Sequence, residues 1–201
     1  MEEDKIKKIK QSFRLMMNGP ASQSMRQKGV GYKVNWGVPF PQLRSMAAEY
    51  GKDYHLAVAL WKEDIRECKL LATLIMPSGE MPRELADIWM EQVTTQELAE
   101  MLAFNLLQYV DYAPQIAYEW IARSEALYQV TGYSILGRLF MRGQQPNSRG
   151  ANEFLDQVAT SLAEGNVGVR HAALNSLQRF ASLSVDFRNM VPESLAHLYL
   201  D

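Results

Sequence analysis

The sequence predicts an all-α protein whose antiparallel helix pairs stack side by side into a curved, right-handed solenoid. Three observations carry this. Apolar residues recur with the 3.6-residue period of amphipathic helices along most of the chain. No segment alternates apolar and polar residues as a half-buried strand does. The predicted helices come in pairs starting near 53/66, 82/95, 112/125 and 150/167, a spacing of about 30 to 40 residues, near or below the ~40–47 of HEAT-like repeats. One pair cannot bury its apolar face alone; stacked neighbours can, and a small rotation per repeat makes an arc with a hollow side. The competing arrangement is a compact irregular bundle.

Each element has its own signal. Residues 2–17 form a charged helix, with Glu2, Glu3 and Asp4 at its positive end. Asn18, Gly19 and Pro20 stop it. Pro41 and Gln42 open a short helix that ends near Gly51. "DYHLAVALWKED" and "RECKLLATLIM" follow as a pair, closed by Pro77 to Gly79. Leu85, Ile88, Trp89 and Val93 form one stripe; Leu98, Met101, Leu102 and Leu106 form the next. Thr94 with Glu97 reads as a capping box for that second helix, and Glu100 falls opposite its stripe. Ile116 and Trp120 lead into a helix from about 125 to 141, and "GQQPNSRG" is a loop. Phe154, Leu155, Val158 and Leu162, then Val169, Ala173, Leu177 and Phe180, mark the last pair.

A chain of 201 residues with 47% apolar and 22% charged residues is an ordinary globular protein with ample core. The expectation is a single domain over residues 1–201, made of a helical extension (1–30), repeats (31–185) and a C-terminal segment (186–201). No apolar run approaches the ~20 residues of a bilayer span, and "MEEDKIKKIK" has no apolar core of a secretory signal. Cys68 is the one cysteine, which excludes an internal disulfide and suits a reducing, cytoplasmic location. Charge is uneven. Residues 1–69 hold thirteen Lys/Arg against eight Asp/Glu, residues 70–201 eight against fifteen, and residues 80–125 two against nine. A protein gripping phosphates along its whole length would be basic there.

"YKVNWGVPFPQLRSMAAEYG" followed by "LAVALWKEDIRECKLLATLIM" resembles the AlkD-like DNA alkylation-repair family. Its members carry a Gly-Val, a Pro and a Leu-Arg opening a short helix, here Gly37, Val38, Pro41, Leu43 and Arg44. The next helix pair is represented by Leu60, Trp61, Glu67, Leu71 and Ala72. "VTTQELAEMLAFN", to Asn105, is similar to the family's central helix, and "VRHAALNSLQRFA" to a late repeat helix. The resemblance implies a concave cleft that holds alkylated duplex DNA, and cleavage of the N-glycosidic bond of N3- or N7-alkylated purines without a pocket for a flipped base. A cationic purine leaves as a neutral base, so a carboxylate and aromatic faces that stabilise an oxocarbenium-like sugar suffice.

Transferred position by position, the resemblance implies a divergent site. The first cleft Trp falls on Gln96 and the catalytic Asp on Glu100; a sugar- or phosphate-contacting Arg falls near Thr131, and the second Trp on Asn175. The carboxylate survives one methylene longer, which moves it by roughly 1 Å. Gln96 and Glu100 are one helical turn apart and share a face.

Other residues have two readings each. Glu100 is either the retained carboxylate or a solvated helix residue. Trp61, Trp89 and Trp120 lie on apolar stripes, as core residues do, whereas Trp36 is in a loop and is either an exposed aromatic contact or packed on the first helix. Lys5, Lys7, Lys8, Lys10, Arg14, Arg26, Lys28 and Lys33 form either a phosphate-binding arm or a solvated face. Arg44, Arg170 and Arg179 join Lys28 and Lys33 as candidate nucleic-acid contacts. His55, His171 and His197 are too scattered for a metal site, Cys68 reads as a buried small hydrophobe, and no phosphate-binding Gly loop appears, so neither metal nor cofactor is expected.

Two functions follow. One is a divergent alkylation-repair-like protein that binds duplex DNA in its concave cleft, with glycosylase activity weakened or lost; if active, Glu100 stabilises the sugar cation while Gln96 and Asn175 orient water or phosphate. The other is a catalytically inert HEAT-like scaffold that takes a protein or peptide on the same face, which the acidic stretch 80–125 favours.

Overall fold

A computed structural model describes residues 2–198; regular structure among them is helical apart from one isolated parallel bridge, Val34 to Ile65. The last residues of the expected C-terminal segment, 199–201, lie outside the described residues. Two compact units, Met1–Leu106 and Leu107–Asp201, divide the chain.

In the first unit, helix α1 (Glu2–Leu15) buries Ile6, Ile9 and Phe13 on one face and has its three acids in the first turn. Asn18, Gly19 and Pro20 do more than stop it: they open α2 (Gly19–Gln27), which the sequence reading lacks. Asn18 accepts the Ala21 N–H at 3.1 Å, and Pro20 occupies the first turn, where a missing N–H costs nothing. Helix α3 (Phe40–Tyr50) ends at Gly51. The pairs α4 (Tyr54–Trp61) with α5 (Arg66–Ile75), and α6 (Arg83–Glu91) with α7 (Gln96–Asn105), start within a residue of expectation.

Helix α5 is the centre of this unit. It packs on α4, and both α3 and α7 pack on it. Its residues from Arg66 to Thr73 are all buried, charged ones included. Trp61 and Trp89 are core, as their stripes predict: the indoles stack in parallel with centroids 4.1 Å apart, and Trp61 donates its N–H to Gln92 at 2.9 Å. The Lys69 ammonium lies 4.6 Å from the Trp61 ring and donates to the Trp61 carbonyl at 2.7 Å. Ile88 departs from its expected stripe and is half exposed.

The second unit holds α8 (Ala113–Ile121), α9 (Ala126–Met141), α10 (Ser148–Glu164), α11 (Val167–Ala181), α12 (Val185–Met190) and α13 (Glu193–Ala196). Here α9 packs on both α8 and α11. The second helices of successive pairs thus lie together, α5 with α7 in one unit and α9 with α11 in the other, as stacked repeats require. Gly132 lets α8 approach α9: a Cβ there would stand 2.8 Å from the Ala117 carbonyl oxygen. Tyr133, Phe140, Phe154, Phe180 and Phe187 meet in mostly edge-to-face contacts along this core.

Candidate functional site

The loop before α3 is held by one buried carboxylate. Glu67, fully buried on α5, accepts the N–H of Trp36 at 3.3 Å and of Val38 at 3.2 Å. Between them Gly37 has φ +69, and a Cβ there would meet the Asn18 carbonyl oxygen at 2.4 Å, so only glycine fits. Trp36 settles against the first helix, its ring 5.7 Å from that of Phe13. The Gly-Val…Glu pattern of the sequence is therefore a loop clamp.

Arg66 carries the clamp to α7. Its guanidinium donates to Glu67 at 3.1 Å, to the Val38 carbonyl at 3.2 Å, and bidentately to Glu97 at 2.7 and 2.5 Å. Burial pulls the Arg66 pKa down, but the bond and charge of Glu97 and the charge of Glu67 outweigh it, and the group stays above its ordinary value. The expected capping box does not form, because Glu97 is held by Arg66. Thr95, not Thr94, caps α7: its hydroxyl oxygen accepts the Leu98 N–H at 3.2 Å and lies 3.1 Å from the Tyr32 hydroxyl.

On the next positions of α7 the two expected site residues do meet. Gln96 donates its amide N–H to Glu100 Oε1 at 2.9 Å. Gln96 is exposed and Glu100 partly exposed, and among the described residues no cation pairs with Glu100. The pair offers one carboxylate and one amide to a partner; Phe104 follows Glu100 by one turn, and α7 carries no arginine.

The remaining expected positions are less uniform. Thr131 lines nothing: it is fully buried, and its hydroxyl donates to the Leu127 carbonyl at 2.7 Å, so that expectation is corrected by packing inside α9. Asn175 is exposed on α11, its amide 3.0 Å from His171 Nε2. Arg44, Arg179, Lys28 and Lys33 are exposed; Arg170 is exposed and donates to the Ala163 carbonyl at 3.2 Å. The N-terminal basic cluster divides. Lys5 pairs with Asp53 at 3.1 Å, Lys10 with Glu63 at 2.6 Å, and Arg26 donates to the Asn35 carbonyl at 3.2 Å, whereas Lys7, Lys8 and Arg14 project into solvent.

Two features escaped the sequence reading. The Arg66–Glu67–Glu97 network looks like ordinary helix surface charge until its partners are known. In the second unit, residues 126–152 carry three Arg and no Asp or Glu, a local basic stretch that a shorter charge window would have exposed. There Arg142 lies over the Tyr109 ring, 5.1 Å from its centroid. Among the described residues no group of three or more His, Cys, Asp or Glu is placed to hold a metal ion, and no helix is long and apolar enough to cross a membrane.

Paired helices whose second members pack on one another, with a polar pair at the start of α7, define a protein of the HEAT-like repeat class. The family model of the DNA alkylation repair enzyme matches residues 9–136, and the chain belongs to that family. The match begins inside α1, at residue 9. One solved structure superposes with a TM-score of 0.82 at 18% identity, covering 92% of this chain and 79% of its own. It represents a new family of proteins related to the HEAT-like repeat DNA glycosylases, with affinity for branched DNA structures. At that identity the likeness establishes the HEAT-like fold. No curated protein matches the sequence.

Proposed function

We propose that this chain is a DNA-binding member of the alkylation-repair family that recognises DNA structure and has little or no glycosylase activity. One observation carries the reading: at the positions where the resemblance expects a Trp and an Asp, α7 presents the hydrogen-bonded pair Gln96 and Glu100. An amide cannot stack on or stabilise a cationic purine as an indole does. With Thr131 buried and Asn175 a carboxamide, neither the Arg nor the second Trp has a substitute at its own position. Binding, by contrast, needs exposed cations, and Arg44, Lys28, Lys33, Arg170 and Arg179 supply them. The affinity for branched DNA of the superposed relative supports DNA as the ligand.

The test combines binding and chemistry. Fluorescence anisotropy should show binding to branched DNA that weakens as salt rises, since phosphate contacts release counterions. Release of 7-methylguanine from alkylated duplex should stay at the uncatalysed level, and Glu100→Gln should not change it. Release by the native chain that Glu100→Gln abolishes would instead make Glu100 the group that stabilises the sugar cation. A second reading, an inert scaffold for a protein or peptide, draws on the acidic stretch 80–125, with nine acids against two arginines. Absence of binding to any DNA would favour it.

A further inference from the structure

We propose that Tyr109 and Arg142 form a stacking platform for an unpaired nucleobase of DNA, a site apart from α7. The inference rests on the DNA-binding reading above and gives it a ligand feature: a base outside the double helix.

The construction is specific. Tyr109 ends a short 3₁₀ turn, Leu107–Tyr109, whose other two residues are buried. Anchoring those two fixes the third outward, and Tyr109 is 56% exposed, unusual for so large an aromatic ring. Arg142, at the C-terminal end of α9, donates to the Gln108 carbonyl at 2.6 Å and lies over the ring 5.1 Å from its centroid. One ring face thus carries a fixed guanidinium. An unpaired base can stack on the other, while the guanidinium N–H groups not engaged by Gln108 remain as donors for an adjacent phosphate.

A second Arg–Tyr pair in the same unit shows what a structural version looks like. Arg123 lies 4.1 Å from the Tyr128 centroid, but Tyr128 is half-buried edge-on against Trp120, and Arg123 pairs with Glu125 at 2.8 Å. Arg142 has no carboxylate partner among the described residues, and the stretch around it, 126–152, has arginines and no acid. Exposed Asp111, two residues beyond Tyr109, is the nearby acid in the sequence and pairs with neither residue. An exposed ring, an uncompensated guanidinium and a local basic stretch together fit single-stranded nucleic acid better than the regular face of a duplex, whose bases are already stacked.

The experiment measures anisotropy with four labelled DNAs of equal length: blunt duplex, duplex with a single-stranded flap, four-way junction and single strand. The native chain should bind flap and single strand more tightly than blunt duplex. Tyr109→Ala should reduce affinity for those two by about tenfold or more, the loss of one stacked base, and leave blunt duplex nearly unchanged. Tyr109→Trp should retain the preference. Arg142→Ala should weaken binding and lower the salt slope by about one. Because Tyr109 is exposed, these variants should keep the native melting temperature, measured alongside. Equal affinity of native and Tyr109→Ala chains for flap and single strand would overturn the platform while leaving DNA binding intact; a native chain that binds none of the four would overturn both.

Discussion

At the scale of single residues, the chain spends its buried charge on geometry. Glu67 has no exposed surface and satisfies two loop N–H groups and a guanidinium. Removing it strands Arg66 in the interior and frees the 36–38 loop. Glu67→Ala should therefore lower unfolding free energy by about 3–5 kcal/mol, read from urea titration, because a buried charge loses its partner. A loss below ~1 kcal/mol would mean that water replaces the carboxylate. Asp53 gives a pH-dependent case. The Leu56 N–H, which it accepts as the N-cap of α4, is the chief influence holding its carboxyl below the ordinary value; burial opposes this, and the Lys5 bond and charge reinforce it. A folded pKa below the unfolded one contributes stability above the unfolded value, and that stability fades as pH falls through the folded one. Asp53→Asn keeps a capping side chain, so its melting temperature should fall less steeply than the native one as pH drops from about 5 to 3.

At the scale of elements, the cap of α7 separates two adjacent threonines that sequence alone could not rank. Thr95 accepts the Leu98 N–H and Thr94 is exposed without such a bond. Thr95→Ala should cost about 1 kcal/mol and Thr94→Ala close to nothing, measured by thermal denaturation. Equal effects would return the cap to Thr94. The same region shows why parts of the site were legible and others not. A 3.6-residue period placed Gln96 and Glu100 on one face, and their hydrogen bond agrees with it. Helix starts were readable because the pattern of apolar stripes survives in any packing. Helix α2 was not: its nine residues, GPASQSMRQ, are mostly polar, and Asn-Gly-Pro signals a stop as well as a start. Thr131 was misplaced because correspondence between distant sequences gives a position on a helix but not which way that helix faces. Arg66 and Glu67 escaped notice because burial of a charge depends on partners about thirty residues away.

At the scale of the whole molecule, Cys68 provides a chemical readout of opening. It is buried on α5, and burial, its largest influence, pushes its thiol up to about 12. At neutral pH the group is both shielded and protonated. Labelling by a thiol-specific disulfide reagent should therefore be orders of magnitude slower than for the urea-unfolded chain, and should accelerate in Glu67→Ala. Rapid labelling of the folded native chain would show that α5 is accessible. The fold class was the most legible property of all, since pair starts at 54/66, 83/96, 113/126 and 148/167 fall within two residues of those read from the sequence. The division of the chain at Leu106 and Leu107 left no such mark: no Pro- or Gly-rich linker separates α7 from the turn that follows.

The Glu67 clamp also sets an order of events during synthesis. Trp36 and Val38 leave the ribosome 31 and 29 residues ahead of the carboxylate that receives their N–H groups. Until α5 emerges, the segment joining α2 to α3 is held only by its contacts with α1 and α2, such as the Ser22 hydroxyl on the Asn35 carbonyl, and lacks the carboxylate that takes its two N–H groups. A pause in translation shortly before residue 67 would prolong that state, and a chaperone that shelters short helical segments would find its substrate there.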